Sequence, residues 1–150
     1  MLNWISYDVS CLIFRFLFSL IFVGLGLEHL FADELLQHLM PHWIGFERVI
    51  SVLTGIVLLL GGISIMIGFR IRWGAVILGL FLVVVNVVVH LPAVFTMSPE
   101  INADCAWLWD VYQRSNLFKN LCLLGACFHF LHHKAGKYSV EEWLEQRRAR

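Results

Sequence analysis

Four apolar stretches alternate with polar ones along the chain, and each gathers its few polar residues on one side. One of them, Trp73 to Leu91, reads WGAVILGLFLVVVNVVVHL, enough helix to cross a hydrocarbon core that needs about 17–25 residues. At helical spacing Gly79, Val83, Asn86 and His90 share a face. That face is expected to look inward, because lipid offers an amide no partner. The same pattern predicts spans over residues 11–30 and 49–68. In the first, Arg15, Ser19, Phe22, Gly26 and His29 form a stripe, with arginine and histidine about 21 Å apart along the axis. In the second, Ser51, Gly55, Leu58, Gly62 and Ile65 form a face of small residues that lets helix backbones approach. The turn FRIR makes an antiparallel hairpin of the second and third spans.

A fourth span is predicted over 117–133, with Lys119, Cys122, Ala126, His129 and His133 on its polar side. Pro92 and Pro99 open a loop that runs to about Asn116. Residues 31–48 read as an interfacial loop holding His38 and His42. The tail, 137–150, is amphipathic, begins with a Ser139 cap followed by Glu142, and is expected to lie on the membrane. The fold class is therefore all-α, a four-helix transmembrane bundle in one domain spanning 1–150.

Composition agrees: 59% of the 150 residues are hydrophobic and 15% charged, with a mean hydropathy of +0.76. Eleven basic and eleven acidic residues balance, so nothing suggests a nucleic-acid partner. No basic segment precedes the first apolar run, which reads as a span rather than a cleaved signal. Eight of the eleven basic residues fall on the side of the termini and the FRIR turn, which predicts that both termini are cytoplasmic; the expected location is integral to a bacterial-type plasma membrane. The six tryptophans mostly flank spans, as in an aromatic belt.

The pattern RFLFSLIFVGLGLEHLF, the MPHW loop, LTGIVLLLGGISIMIGFRIRWGAVILGL and NLFKNLCLLGA together resemble the DoxX-like membrane proteins. Phe118-Lys119-Asn120-Leu121 followed by Leu124-Gly125 looks like that family's fourth-helix signature. The resemblance implies a four-helix bundle and a link to thiosulfate:quinone oxidoreduction or to membrane complexes that handle thiol stress; related proteins act as chaperones or accessory subunits. Glu28-His29 and the number of histidines depart from the commoner pattern.

Candidate chemistry collects at the outer end. There His29, His90 and Lys119 are candidate catalytic groups, and Asn86, Asn120 and Glu28 are candidate contacts to a bound molecule. One reading is a pocket where Lys119 holds an anion or a quinone carbonyl while His29 or His90 moves protons. A second is a haem or copper site built on His29 and His90, with Met40 or Met97 assisting. The competing structural reading pairs Lys119 with Glu28 or Asp110, gives Asn86 a backbone partner and leaves the histidines among headgroups. At the other end, His129, His132 and His133 have a metal-ligand spacing that also suits a helix C-terminus. Arg15 is read as an anchor that pairs with helix-end carbonyls or His129, and Cys105 with Cys122 as a conceivable thiol pair against a role in packing.

Two functions follow as expectations: a redox-associated subunit handling a quinone or sulfur species beside a catalytic partner, or a non-catalytic scaffold, chaperone or assembly subunit. Lipid is the expected surroundings, with a protein partner or a second copy of the chain. No nucleophilic triad, phosphate loop or pair of catalytic carboxylates is present in the sequence.

Overall fold

In a computed structural model that describes residues 4–32, 45–96 and 102–150, five helices follow one another, and no strand occurs among the described residues. Helix α1 is Tyr7–Phe31, α2 Glu47–Ile67, α3 Ile71–Phe95, α4 Ala106–His132 and α5 Val140–Arg148. Helices α1, α2 and α3 are long and apolar enough to cross a membrane. Along the bundle α1 packs on α2, α2 on α3 and α3 on α4. Phe14 and Phe18 of α1 close the ring by meeting Phe130 of α4, with ring centres 5.0 and 4.9 Å apart.

The inward stripes of the first two helices lie where the spacing puts them. Arg15, Ser19, Phe22 and Gly26 are buried on α1, and Ser51, Gly55, Leu58, Gly62 and Ile65 on α2. The two helices cross at Gly26 and Gly55: a Cβ added to Gly55 would stand 2.9 Å from the Gly26 carbonyl oxygen. Such an approach lets backbone and side-chain dispersion hold helices together where lipid supplies no hydrophobic drive.

Helix α2 ends in a Schellman turn. Gly68, at φ 72°, donates its N–H to Ile65 O, and Phe69 N–H reaches Ser64 O. Arg15 covers the same helix end: its guanidinium, 2% exposed, donates to Ile65 O at 3.4 Å, to Met66 O at 3.3 Å, and to Tyr138 O in the tail. A cation suits the negative end of a helix, so the anchoring reading of Arg15 holds, through carbonyls rather than His129. The N–H of Glu141 adds a bond to Gly68 O at 3.2 Å, which fixes the start of α5 against the α2–α3 turn. Ser139 caps α5 by accepting from the Glu142 N–H, while the Glu142 carboxylate takes a bond from Gln146 and leaves the capping box half formed.

Three expectations change. Helix α3 does not stop before Pro92. A π turn over Asn86–His90, closed by Leu91 N–H to Asn86 O, widens the ladder just ahead of the proline, and the chain stays helical to Phe95. Helix α4 begins at Ala106, about three turns earlier than expected, tied to the end of α3 by Trp109, whose indole N–H donates to Ala93 O at 3.1 Å and Thr96 O at 3.2 Å. Its buried face is Gln113, Asn120, Cys127 and Phe130; Cys122 and His129 are exposed, so the predicted polar stripe was rotated by about one residue. On α3, Val83 likewise faces outward at 45% exposure, whereas Asn86 is buried at 5%.

Candidate functional site

Helices α1 and α4 meet through phenylalanines near the tail, and toward the opposite end a cavity of about 300 Å³ lies among α1 to α4. Its walls are mostly apolar, with Phe22, Leu25, Leu58, Phe81 and Leu123 among them. His29, His90, Lys119 and Asn120 also line it, together with Tyr112 and Asn116. Three inward stripes, one each from α1, α3 and α4, thus end in polar groups around one space.

Those groups are held by bonds that cross between helices. His29 Nδ1 lies 2.9 Å from Ser51 Oγ, and the Ser51 hydroxyl spends its hydrogen on the His29 carbonyl oxygen at 3.3 Å. Within that pair the ring nitrogen is therefore the donor. His90 Nδ1 lies 2.8 Å from Gln113 Oε1. An amide oxygen only accepts, so Nδ1 carries the hydrogen and the lone pair of the neutral ring sits on Nε2. Behind this layer Asn120 Nδ2 donates to Asn86 Oδ1 at 3.1 Å, an interhelical amide pair in which Asn86 Nδ2 has no acceptor among the described residues. Lys119 Nζ donates to Asn116 Oδ1 at 2.6 Å, and Asn116 Nδ2 to Tyr112 O at 2.9 Å.

Lys119 is therefore paired with Asn116 rather than with Glu28 or Asp110; Asp110 instead meets Arg114 at 2.7 Å. Asn86 takes a side-chain partner, Asn120, and not a backbone one. Glu28 is exposed and absent from the cavity wall, because one residue of helix turns it about 100° from His29. Gln113, 1% exposed, Asn116, Tyr112 and Ser51 are the supporting residues that the sequence reading passed over as functional. The first three sit in the segment read as loop. A signal for them was present: Gln113, Asn120 and Cys127 recur every seven residues and share one helix face.

For a metal, His29 and His90 offer two imidazoles in one cavity, but among the described residues no group of three or more His, Cys, Asp or Glu side chains is placed to hold an ion. The same holds for the tail-side histidines, where the His129 and His133 rings stack at 3.7 Å and His133 Nδ1 is bonded to His129 O at 2.9 Å. His38, His42, Met40 and Met97 lie outside the described residues. Cys105 immediately precedes α4 and Cys122 lies 17 residues further along, an axial separation of about 25 Å that excludes a disulfide between them.

The DoxX family model matches residues 10–91, more than half of the chain, from the first turn of α1 through the π turn of α3. This chain belongs to the DoxX family. No curated protein and no solved structure matches it. In this DoxX protein the matched region supplies His29, Asn86 and His90, whereas Lys119 and Asn120 come from α4, beyond the match.

Proposed function

We propose that this DoxX protein is a redox-associated membrane subunit that binds a quinone in the cavity between α1, α3 and α4. The observation that carries the reading is the make-up of that cavity: apolar walls of a size for a substituted ring, with a lysine, two imidazoles and two amides on the same lining. Lys119 keeps N–H groups beyond the one given to Asn116, and a cationic donor in a dry site suits a carbonyl oxygen that gains negative charge. His90, with its lone pair on Nε2, is the proton relay, held in that tautomer by Gln113. Reduction of a quinone to quinol takes two electrons and two protons. The electrons come from a partner oxidoreductase that oxidises a sulfur compound, and the protons pass through the polar groups of the cavity.

Titration of the purified protein with a short-chain benzoquinone tests this. Lys119→Met is expected to weaken binding about 10–100-fold, the value of one charge-assisted hydrogen bond, with helicity unchanged. Arg114→Ala, which removes only an exposed ion pair, is expected to bind as the parent does. Affinity unchanged from the parent in both Lys119→Met and a cavity-filling Leu123→Trp protein would place the quinone elsewhere or nowhere.

The same reading makes α4 the fourth span. Its 27 residues reach about 40 Å, and its Asn120 pairs with Asn86 inside α3, at the depth of an apolar helix. On this reading both termini are cytoplasmic, an orientation supported by the excess of basic residues at the tail end. With an impermeant thiol reagent on intact cells, Cys105 is expected to react and an introduced Ala149→Cys to stay unlabelled until the membrane is opened. The opposite pattern reverses the orientation.

A further inference from the structure

A second cavity, of about 370 Å³, opens at the tail end of the bundle, between the α2–α3 turn, the end of α4 and helix α5. Its charges are sorted by element. Arg70 and Arg72 come from the turn and the start of α3 and Lys134 from just past α4, whereas Glu141, Glu142 and Glu145 all come from α5. Trp73, 66% exposed, stands at the same cavity as an interfacial ring would.

Directly along α3 from this cavity runs an apolar groove of about 210 Å³, formed by Ala75, Gly79 and Val83 on α3 and by Leu124, Phe128 and Leu131 on α4. From Ala75 to Val83 it extends about 12 Å along the helix, starting two residues beyond Trp73 on one side and two before His133 on the other. Gly79 lies at its floor, where a Cβ would stand in ordinary contact with Leu124 and Cys127 at 3.6 and 3.7 Å. A charged chamber and an apolar trough thus adjoin on one face, in the order that an amphiphile in the leaflet presents its head and its chain.

We propose that this face holds one phospholipid with a primary-amine headgroup, its phosphate against the basic residues, its ammonium among the α5 carboxylates and one acyl chain in the groove. The charges decide the head. Three cations and three carboxylates on one lining match a zwitterion and not a purely anionic group. Carboxylates hydrogen-bond an ammonium that has N–H donors, whereas a trimethylated amine has none and is held by aromatic cages. The nearby Trp143 ring already carries the Arg147 guanidinium over its face, at 4.1 Å. Because the site lies at the other end of the bundle from His29, it stands or falls independently of the quinone reading.

Native mass spectrometry of the full chain, released from detergent micelles containing equal amounts of phosphatidylethanolamine, phosphatidylcholine and phosphatidylglycerol with identical acyl chains, tests the assignment. One phosphatidylethanolamine per chain is expected to survive release, in about tenfold excess over either competitor. Glu141→Gln with Glu145→Gln is expected to bring it down to the phosphatidylcholine level, and Val83→Trp, which fills the groove from its open side, to remove all three lipids. Equal retention of the three, a preference for phosphatidylglycerol, or retention untouched by the glutamate changes would each overturn the proposal.

Discussion

Arg15→Leu is expected to lower the unfolding free energy of the detergent-solubilised protein by about 2–4 kcal/mol and to free the tail. The guanidinium now serves Ile65 O, Met66 O and Tyr138 O from a position with 2% exposure. Ile65 O keeps the Gly68 N–H after the change, so the cost falls on Met66 O and Tyr138 O, left in a site that admits little water. Part of that cost is offset, because Arg15 Nε is itself buried without a partner among the described residues. Thermal unfolding followed by circular dichroism reads the loss, and limited proteolysis near Tyr138 reads the freed tail. An unchanged midpoint together with an uncut tail would show that the three carbonyl contacts do not hold the helix end.

Gly55→Leu is expected to cost about 3 kcal/mol or more, because two of the nearest obstacles to the new side chain, the Gly26 carbonyl oxygen and His29 Cβ, cannot turn aside as the Leu30 tip can. Its Cβ would lie 2.9 Å from Gly26 O and 3.0 Å from His29 Cβ, so α1 and α2 must separate. The damage reaches the cavity as well, since His29 is displaced from Ser51 and quinone affinity falls with stability. Gly24→Leu is the control: nothing lies within 4 Å of the added Cβ there, and the midpoint is expected to stay near that of the parent. Equal midpoints for the two variants would refute the close crossing of α1 and α2.

Where a helix is bounded by clear signals, its inward face was legible residue by residue. The stripes from Arg15 to Gly26 and from Ser51 to Ile65 are buried as spacing predicts, because period 3.6 applies to an uninterrupted helix. Legibility failed where the backbone departs from that period or where composition is mixed. The π turn after Val85 carries α3 past a proline that reads as a terminator. The first eleven residues of α4, AWLWDVYQRSN, mix aromatic and charged positions, so they read as loop, and the face of the remainder came out one residue off. The candidate site was legible in its outline, since His29, His90 and Lys119 do line one cavity. Its supports were not: Gln113 and Asn116 act through partners distant in sequence or on a turn not recognised as helix.

The bond between Arg15 and Tyr138 joins residues 123 positions apart, so it also sets an order of events during synthesis. At about 5–20 residues per second, a ribosome adds Tyr138 roughly 6–25 s after Arg15. Through that interval the first helix carries a cation whose final acceptor does not yet exist, and the helix end contributed by Ile65 and Met66 arrives only part-way. The Arg15 contacts are therefore complete only after translation passes the fourth helix and reaches Tyr138.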